Sequence, residues 1–395
     1  MNFTSSNPLF IIEKTNKTGG NHMIIGLLKE IKPNEYRVAA TPTTVRELTA
    51  RGHQVLVQKD AGLGSGYTNA EYAAAGAKIL GTAAEVYTQA DLFYKVKEMF
   101  PEEWKYMNKD KIVYTYIHSN AHPEETDAIL DSRVTAIAYE DITDDNGMFP
   151  LLKPMSILAG KGGFLAALHH MQSVFGGNGT LLANVCGIEA PVVTIIGAGN
   201  SGVGAAELAA GFGNIVRILD VNPKAMETAK AILPTNVSFL YSNRENLVKC
   251  LKDSDVVINC IMWPKHRKDH LINREDLKLM KPSAMIVDVA CDGEGAVETC
   301  RSTTHDNPTY YEEGILHYCV DNIPSAFART ASIMLSNATL PFLLEIANKG
   351  VEKALKENPH LRKGLTAYNG NLTLKETALK QNRPLTDADE LVKTF

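Results

Sequence analysis

The sequence lacks several features that would place it early in a particular class. It has no long basic run, and 40 Lys plus Arg against 45 Asp plus Glu leave a formal net charge of −5. Such a chain offers no stripe of cations to neutralise the phosphates of a duplex, so nucleic acid is not an expected partner. No apolar run approaches the roughly 18 residues that a membrane-spanning helix needs, so no membrane is expected either. Residues 1–22 hold only Leu9–Ile12 as an apolar stretch, too short for a signal-peptide core, and they lack the Arg-rich pattern of a transit peptide. They read as a disordered extension ahead of a first strand at Met23. The six cysteines, Cys186, Cys250, Cys260, Cys291, Cys300 and Cys319, show no C-x-x-C spacing and are scattered through apolar segments. That pattern argues against a zinc site or a disulfide framework and makes a reducing cytoplasm the expected compartment.

What is present is the composition of a folded protein, 45% hydrophobic and 22% charged. At roughly 100 to 200 residues per domain, 395 residues imply two domains. From Met23 onward, β-like runs alternate with helix-like stretches, the pattern of doubly wound parallel sheets. One series of strands is expected near 24–28, 54–58, 91–97, 112–118 and 134–139, and a second near 192–196, 215–220, 237–241, 255–261, 284–290 and 316–320. Two long helical patterns, about 156–174 and 330–355, lead into and out of the second series. The expected fold is therefore α/β: two Rossmann-like domains with a cleft between them, joined by long helices. Residues 23–150 plus 330–395 would form the substrate domain, and residues 151–329 the nucleotide-binding domain.

The apolar run Pro191–Ile196 leads directly into Gly197-Ala198-Gly199-Asn200-Ser201-Gly202 and then into an Ala-rich helix. A lone G-x-G-x-x-G is weak evidence, but here strand, loop and helix stand in register. The next expected strand ends at Asp220, 21 residues after Gly199, close to the acidic position that binds an adenosine ribose. Glycines let the backbone approach a pyrophosphate, and the helix start supplies free N–H groups. A carboxylate at position 220 would repel a 2′-phosphate, so NAD is the expected cofactor. A second glycine-rich run, Gly62–Gly66, lacks the spacing and reads as a structural loop.

Ligands of open α/β sheets bind at the carboxyl ends of strands. Arg37, Lys97 and His118 come after strands of the first series, and Asp292 after one of the second. Each alone is as readily a solvated surface residue. Together, Arg37 and Lys97 can hold a carboxylate, His118 can move a proton and Asp292 can activate water, which is what oxidation of an amino acid through an imine requires. His118/His122 and His169/His170 lack the spacing of two ligands on one helix face, and no metal is expected.

These residues are embedded in a longer resemblance. Lys29-Glu30-Ile31, Asn34-Glu35-Tyr36-Arg37-Val38-Ala39, Lys95-Val96-Lys97-Glu98, Pro154-Met155-Ser156, Gly197 to Gly202, Val287-Asp288-Val289-Ala290, Asp321-Asn322-Ile323-Pro324 and Asn337-Ala338-Thr339 occur in order. The chain resembles the family that alanine dehydrogenase shares with the first domain of proton-translocating transhydrogenase. The resemblance implies reversible NAD-linked oxidative deamination of L-alanine to pyruvate and ammonium, usually in a homohexamer. It places carboxylate binding on Arg37 and Lys97, catalysis on His118 and Asp292, and cofactor contacts on Ser156, Gly197, Gly199, Gly202, Asp220 and Asn322. The chain departs from the family pattern at Met99, Ser119, Asn120 and Gly293-Glu294-Gly295. Another small amino acid or 2-oxo acid, a saccharopine-dehydrogenase-like activity and a non-catalytic NAD-binding module are the alternatives.

Overall fold

The computed structural model describes residues 22–264, 267–291 and 295–395. The expectations for residues 1–21 and for Asp292 lie outside the described residues.

The strands run in chain order β1 (Ile24–Leu27), β2 (Gln54–Gln58), β3 (Lys78–Leu80), β4 (Leu92–Tyr94), β5 (Ile112–Thr115) and β6 (Thr135–Ala138). Then come β7 (Val192–Ile196), β8 (Ile215–Asp220), β9 (Val237–Tyr241), β10 (Val256–Asn259), β11 (Met285–Asp288), β12 (Thr309–Glu312) and β13 (Ile315–Tyr318), and finally β14 (Leu365–Tyr368) and β15 (Asn371–Leu372). They build two sheets, ordered β15-β14-β6-β5-β4-β1-β2-β3 and β12-β13-β11-β10-β7-β8-β9. Both carry the doubly wound 3-2-1-4-5-6 order through their parallel strands. The expected doubly wound parallel sheets are present, and at their edges β12, β14 and β15 pair antiparallel. The hairpins β12–β13 and β14–β15 are closed by tight turns, which a parallel connection could not provide.

Strands in such sheets are covered on both faces, which is why they read as continuous apolar runs rather than alternating ones. Val55 and Val57 of β2 face one core and Leu56 the other. In the second sheet, Val193 and Ile195 of β7 face one core and Ile196 the other.

Two long helices tie the halves together. Lys153–His170 begins with a Pro in its first turn and buries Met155, Leu158, Phe164 and Ala167. It crosses the helix Asn200–Gly211 so closely that a Cβ on Gly160 would lie 1.8 Å from the Ser201 carbonyl oxygen, and one on Gly204 2.5 Å from that of Ile157. The second long helix, Ala328–Lys349, is shorter than its pattern suggests. Gly350, with φ of +81°, breaks it, and a separate helix spans Val351–Glu357. By length and composition Ile323–Lys349 could cross a membrane, which a search for unbroken apolar runs does not find because Ser332, Ser336 and Thr339 interrupt it. Ala331, Leu335, Leu343 and Ile346 from it pack into the core of the first sheet.

Candidate active site

In the first sheet the strand order reverses between β1 and β4, and the crevice at such a reversal is where ligands bind. Arg37 lies in the segment after β1, and Lys97 lies three residues past β4. The Arg37 segment is pinned from both sides. The Val38 and Thr41 N–H groups donate to Ser332 Oγ (2.9 Å) and Ser336 Oγ (3.2 Å) on the long helix, and Ser65 Oγ donates to the Tyr36 carbonyl (2.9 Å). The Gly62–Gly66 run is thus a brace for Arg37: a side chain on Gly64 would collide with the Tyr36 carbonyl, 2.7 Å from its Cβ position.

Arg37 is buried, and its fork is occupied. Nε and Nη2 donate to the two carboxylate oxygens of Glu35 at 2.6 and 2.5 Å, and Nη2 also reaches Asn322 Oδ1 at 2.9 Å. Asn322 Nδ2 closes the triangle on Glu35 at 2.9 Å. Burial alone would raise the Glu35 pKa, but Arg37 and Asn322 hold it below the usual value. The bidentate side therefore anchors the guanidinium. Nη1, 3.4 Å from Met155 Sδ, is the edge with capacity for a second anion.

Lys97 is mostly buried, with Glu98 Oε2 3.4 Å away. Burial pulls its pKa down, and Glu98 offsets this only in part. Burial works the other way on Glu98, but Lys97 and Lys32 hold it at about 2. Lys95, two residues earlier, differs: it is fully enclosed between Glu103 (2.8 Å) and Glu30 (3.5 Å). Its charge is consumed inside the fold.

His118 lies just beyond β5 with φ of +52°, a left-handed conformation that costs a non-glycine residue energy and is held by its surroundings. The holder is Glu140, just beyond β6. Its carboxylate accepts the backbone N–H groups of Ile117 and His118 and lies 3.5 Å from His118 Nδ1. The His118 ring stacks parallel to Tyr116, with centroids 5.9 Å apart. Burial raises the pKa of Glu140 well above the ordinary 4.5 and, together with repulsion from Glu140, that of Asp141. The unusual residues after the histidine tie this loop to the C-terminal segment. Ser119 Oγ bonds Thr377 Oγ1 (2.7 Å), and Asn120 Nδ2 bonds Glu376 Oε1 (2.7 Å). The departure at Met99 serves the same region, its N–H donating to the buried Glu125 at 2.7 Å.

In the second sheet the reversal falls between β7 and β10, where the glycine loop emerges. Gly197 has φ of +106°, and a Cβ on Gly202 would sit 1.8 Å from the Gly197 carbonyl oxygen. Neither position tolerates a side chain. A Cβ on Gly199 would meet nothing within 4 Å, so the backbone there faces open space. Gly199 caps the helix Asn200–Gly211 with no side chain on its first N–H groups, leaving an anion-binding terminus. Asp220 closes β8 beside this loop, with its oxygens accepting the N–H groups of Ala198 (2.6 Å) and Asn222 (2.8 Å). Each oxygen keeps capacity for a further donor such as a ribose hydroxyl. The residues present fit a dinucleotide.

One helix sets the two regions in register. Met155, in the first turn of Lys153–His170, touches Arg37, and Gly160 touches the helix that opens at the glycine loop. Five residues separate them, about 7.5 Å of helix. Ser156 lies between, its Oγ turned back to the Leu152 carbonyl at 3.2 Å. Asn322, expected on the cofactor side, spends its amide on Arg37 and Glu35, and its carbonyl accepts from His305 Nε2 (3.0 Å). Arg37, Lys97, His118 and Asn322 thus share one neighbourhood, with Gly197, Gly199, Gly202 and Asp220 on the adjoining sheet. Sequence reasoning missed Glu35, Glu140 and Asp141. The rule that found His118 also reaches Glu140 and Asp141, the first polar residues after β6.

Comparison with known proteins adds a separate line. Residues 26–159 match the profile of the alanine dehydrogenase/PNT N-terminal domain, and residues 164–375 that of the C-terminal domain. An alanine dehydrogenase of Methanococcus maripaludis is 43% identical over 369 residues, covering 93% of this chain and 99% of the relative. One from Bacillus subtilis is 43% identical over 357 residues, covering 90% and 94%. A solved L-alanine dehydrogenase structure superposes with a TM-score of 0.87 at 36% identity, over 91% of this chain and 99% of that one. A transhydrogenase structure from Sinorhizobium meliloti shares the fold, with a TM-score of 0.76 at 23% identity over 89% of this chain and 99% of that one.

Proposed function

The chain belongs to the alanine dehydrogenase/PNT family, and from that premise we propose that it catalyses the reversible, NAD-linked oxidative deamination of L-alanine to pyruvate and ammonium. A nicotinamide cofactor is implied by the family, and the carboxylate of Asp220 favours NAD over its 2′-phosphorylated form. The observation that supports the reading is the contact between Asn322 of the second half and the Arg37–Glu35 pair of the first, which joins the proposed carboxylate anchor to the half that carries the glycine loop.

When bound, the nicotinamide ring supplies the acceptor for the substrate's Cα hydride. Arg37 Nη1 and the Lys97 ammonium hold the substrate carboxylate. A buried lysine whose pKa is depressed gains from meeting a second anion, so carboxylate binding restores charge stabilisation that burial removes. His118 polarises the imine or carbonyl and shuttles the amine proton, fixed in orientation by Glu140, beside the attacking water. Asp292 activates that water. Ser156, Gly197, Gly199, Gly202 and Asp220 form the cofactor side, while Asn322 stands with Arg37 and Glu35. The halves act as two domains, residues 23–150 plus 330–395 for the substrate and 151–329 for the cofactor. The six free cysteines favour a cytoplasmic enzyme, and the family favours a homohexamer, which light scattering would test.

NADH consumption with ammonium and a panel of 2-oxo acids, run beside lysine with 2-oxoglutarate, tests the substrate. Pyruvate should be preferred over larger acids by about 10-fold or more in kcat/KM, the scale of discrimination that pocket size gives. Faster turnover with lysine and 2-oxoglutarate would transfer the chain to saccharopine-type chemistry, and no turnover with any pair would leave only nucleotide binding.

A further inference from the structure

Two neighbouring residues of one turn in the second half reach the Arg37 loop by separate routes. The turn is fixed at the carboxyl edge of the second sheet. Thr303 pairs in parallel with Val320, just past β13. Its N–H donates to the Cys319 carbonyl (2.9 Å), and its own carbonyl accepts the Asp321 N–H (3.3 Å). The chain then reverses: the Asn307 N–H donates to the Thr304 carbonyl at 3.2 Å, and Thr303 Oγ1 donates to the Pro308 carbonyl at 3.0 Å. A bond from residue four to residue one closes a β-turn, which places His305 and Asp306 at its centre.

His305 faces the backbone of Asn322. Its Nε2 lies 3.0 Å from the Asn322 carbonyl oxygen and 3.2 Å from Ser325 Oγ. A carbonyl only accepts, so Nε2 carries the hydrogen and donates it. Ser325 Oγ donates to the same carbonyl at 3.0 Å, so two donors hold Asn322 where the chain enters the helical turn Ile323–Phe327. The Asn322 side chain carries this hold across to the first half. Nδ2 donates to Glu35 Oε2 and Oδ1 accepts from Arg37 Nη2, both at 2.9 Å, and Glu35 Oε1 accepts the Arg37 N–H at 3.1 Å. Hydrogen bonds thus run from His305 through Asn322 and Glu35 to the backbone of Arg37. Asp306 meets the same loop independently. Its Oδ2 accepts from Asn34 Nδ2 at 2.8 Å, and Asn34, with φ of +61°, forms the left-handed bend that precedes Arg37.

We propose that His305 is a positioning residue for the carboxylate anchor, acting through Asn322 on Arg37, with Asp306 bracing the same loop through Asn34. This rests on the reading of Arg37 as that anchor. Glu35 fixes the direction of the guanidinium, but it belongs to the same short loop, so the pair by itself does not set where the loop stands against the nucleotide-binding half. The turn supplies that reference, because it is pinned to the sheet from which the glycine loop emerges. His305 touches no reacting atom, and its contribution is the placement of Arg37 Nη1.

The test compares His305→Ala, His305→Gln and Asp306→Ala with the parent chain. A glutamine amide can donate to the Asn322 carbonyl in place of Nε2. His305→Ala should raise KM for L-alanine by about 3- to 10-fold, the loss expected for one hydrogen bond. Its kcat should stay within about 2-fold of the parent's, the pattern of lost uniform binding, with NADH affinity unchanged. His305→Gln should recover most of the loss, and Asp306→Ala should raise the same KM by less. Amide hydrogen exchange, which needs no turnover, should be faster in the peptide that carries Arg37 for both alanine variants and close to the parent's for His305→Gln. Unchanged exchange there in both alanine variants would overturn the proposal, as would an equal rise of KM in His305→Ala and His305→Gln. Should His305→Ala fail to fold, His305→Asn takes its place, since the shorter amide does not reach the carbonyl. A parent chain that does not oxidise L-alanine would contradict the reading of the reaction, and the exchange measurement then decides the positioning role by itself.

Discussion

At the scale of single residues, neighbours of the same type have opposite assignments. Lys95 is enclosed by two carboxylates, and Lys97 faces the crevice with one partner at 3.4 Å. Removing one member of a buried ion pair leaves charge uncompensated and costs about 3–5 kcal/mol. Lys95→Ala should therefore lower the melting temperature sharply, whereas Lys97→Ala should fold and raise KM for the amino acid by about 10-fold or more, the loss expected for one charge-assisted hydrogen bond. Thermal melts beside steady-state kinetics separate the two, and a stable, active Lys95→Ala would contradict the assignment. His118→Ala should lower kcat by about 100-fold or more, the usual loss for a general acid-base group, with NADH binding unchanged. Glu140→Gln keeps an acceptor for the two N–H groups but changes the titration. Burial raises the pKa of Glu140 above 4.5, so the folded state binds its proton more tightly than the unfolded state, and stability falls as pH rises from about 4.5 towards neutrality. The slope is at most about 1.4 kcal/mol per pH unit for one group. Glu140→Gln should remove that loss, gaining on the parent as pH rises in urea titrations, while kcat falls and its pH profile shifts. An unchanged profile would show that Glu140 does not act through His118.

At the scale of elements, the site is made just past the ends of strands and at the point where one helix touches another. Lys97, His118 and Asp220 were legible in the sequence because each comes at or just beyond the end of an apolar run, where chain order fixes the sheet edge, and Arg37 because it stands in the polar loop that follows β1. Glu35 was not, since the group it shares with Arg37 is completed by Asn322, 287 positions away. Glu140 reads as the polar end of a strand, and only the adjacency of β5 and β6 gives it a role. The short edge strands β3 and β15, of 3 and 2 residues, carry too little pattern to be read. Two elements invite direct tests. Asp220→Ala at the end of β8 should weaken NAD(H) and narrow its lead over NADP(H), measured as the ratio of kcat/KM values; equal use of both by the parent would refute the role of Asp220. Gly160→Ala should push apart the helices Lys153–His170 and Asn200–Gly211, because its Cβ would lie 1.8 Å from backbone oxygen. Overpacking of this kind costs about 1–3 kcal/mol, and here it should raise KM for both substrates together, since that helix registers Arg37 against the glycine loop. A rise for one substrate alone would break that link.

At the scale of the whole molecule, two sheets of the same strand order are joined through two long helices, and each contributes the crevice at its own reversal point. The first crevice concentrates buried charge, with Arg37, Lys97, Glu35, Glu98 and Glu140 held within a few contacts of one another. The second offers backbone N–H groups and a single carboxylate, a division suited to a small charged substrate meeting a dinucleotide. The central claim is that the substrate's Cα hydride crosses between these two crevices. The most direct measurement incubates the chain with NAD and L-alanine deuterated at Cα, and analyses the reduced nicotinamide and the 2-oxo acid by mass spectrometry. The account predicts NADH one mass unit heavier, formed in equal amount to pyruvate and ammonium, with its formation falling sharply when Lys97 is replaced by Ala. Reduced nicotinamide without the label, or pyruvate formed without reduced nicotinamide, would contradict it.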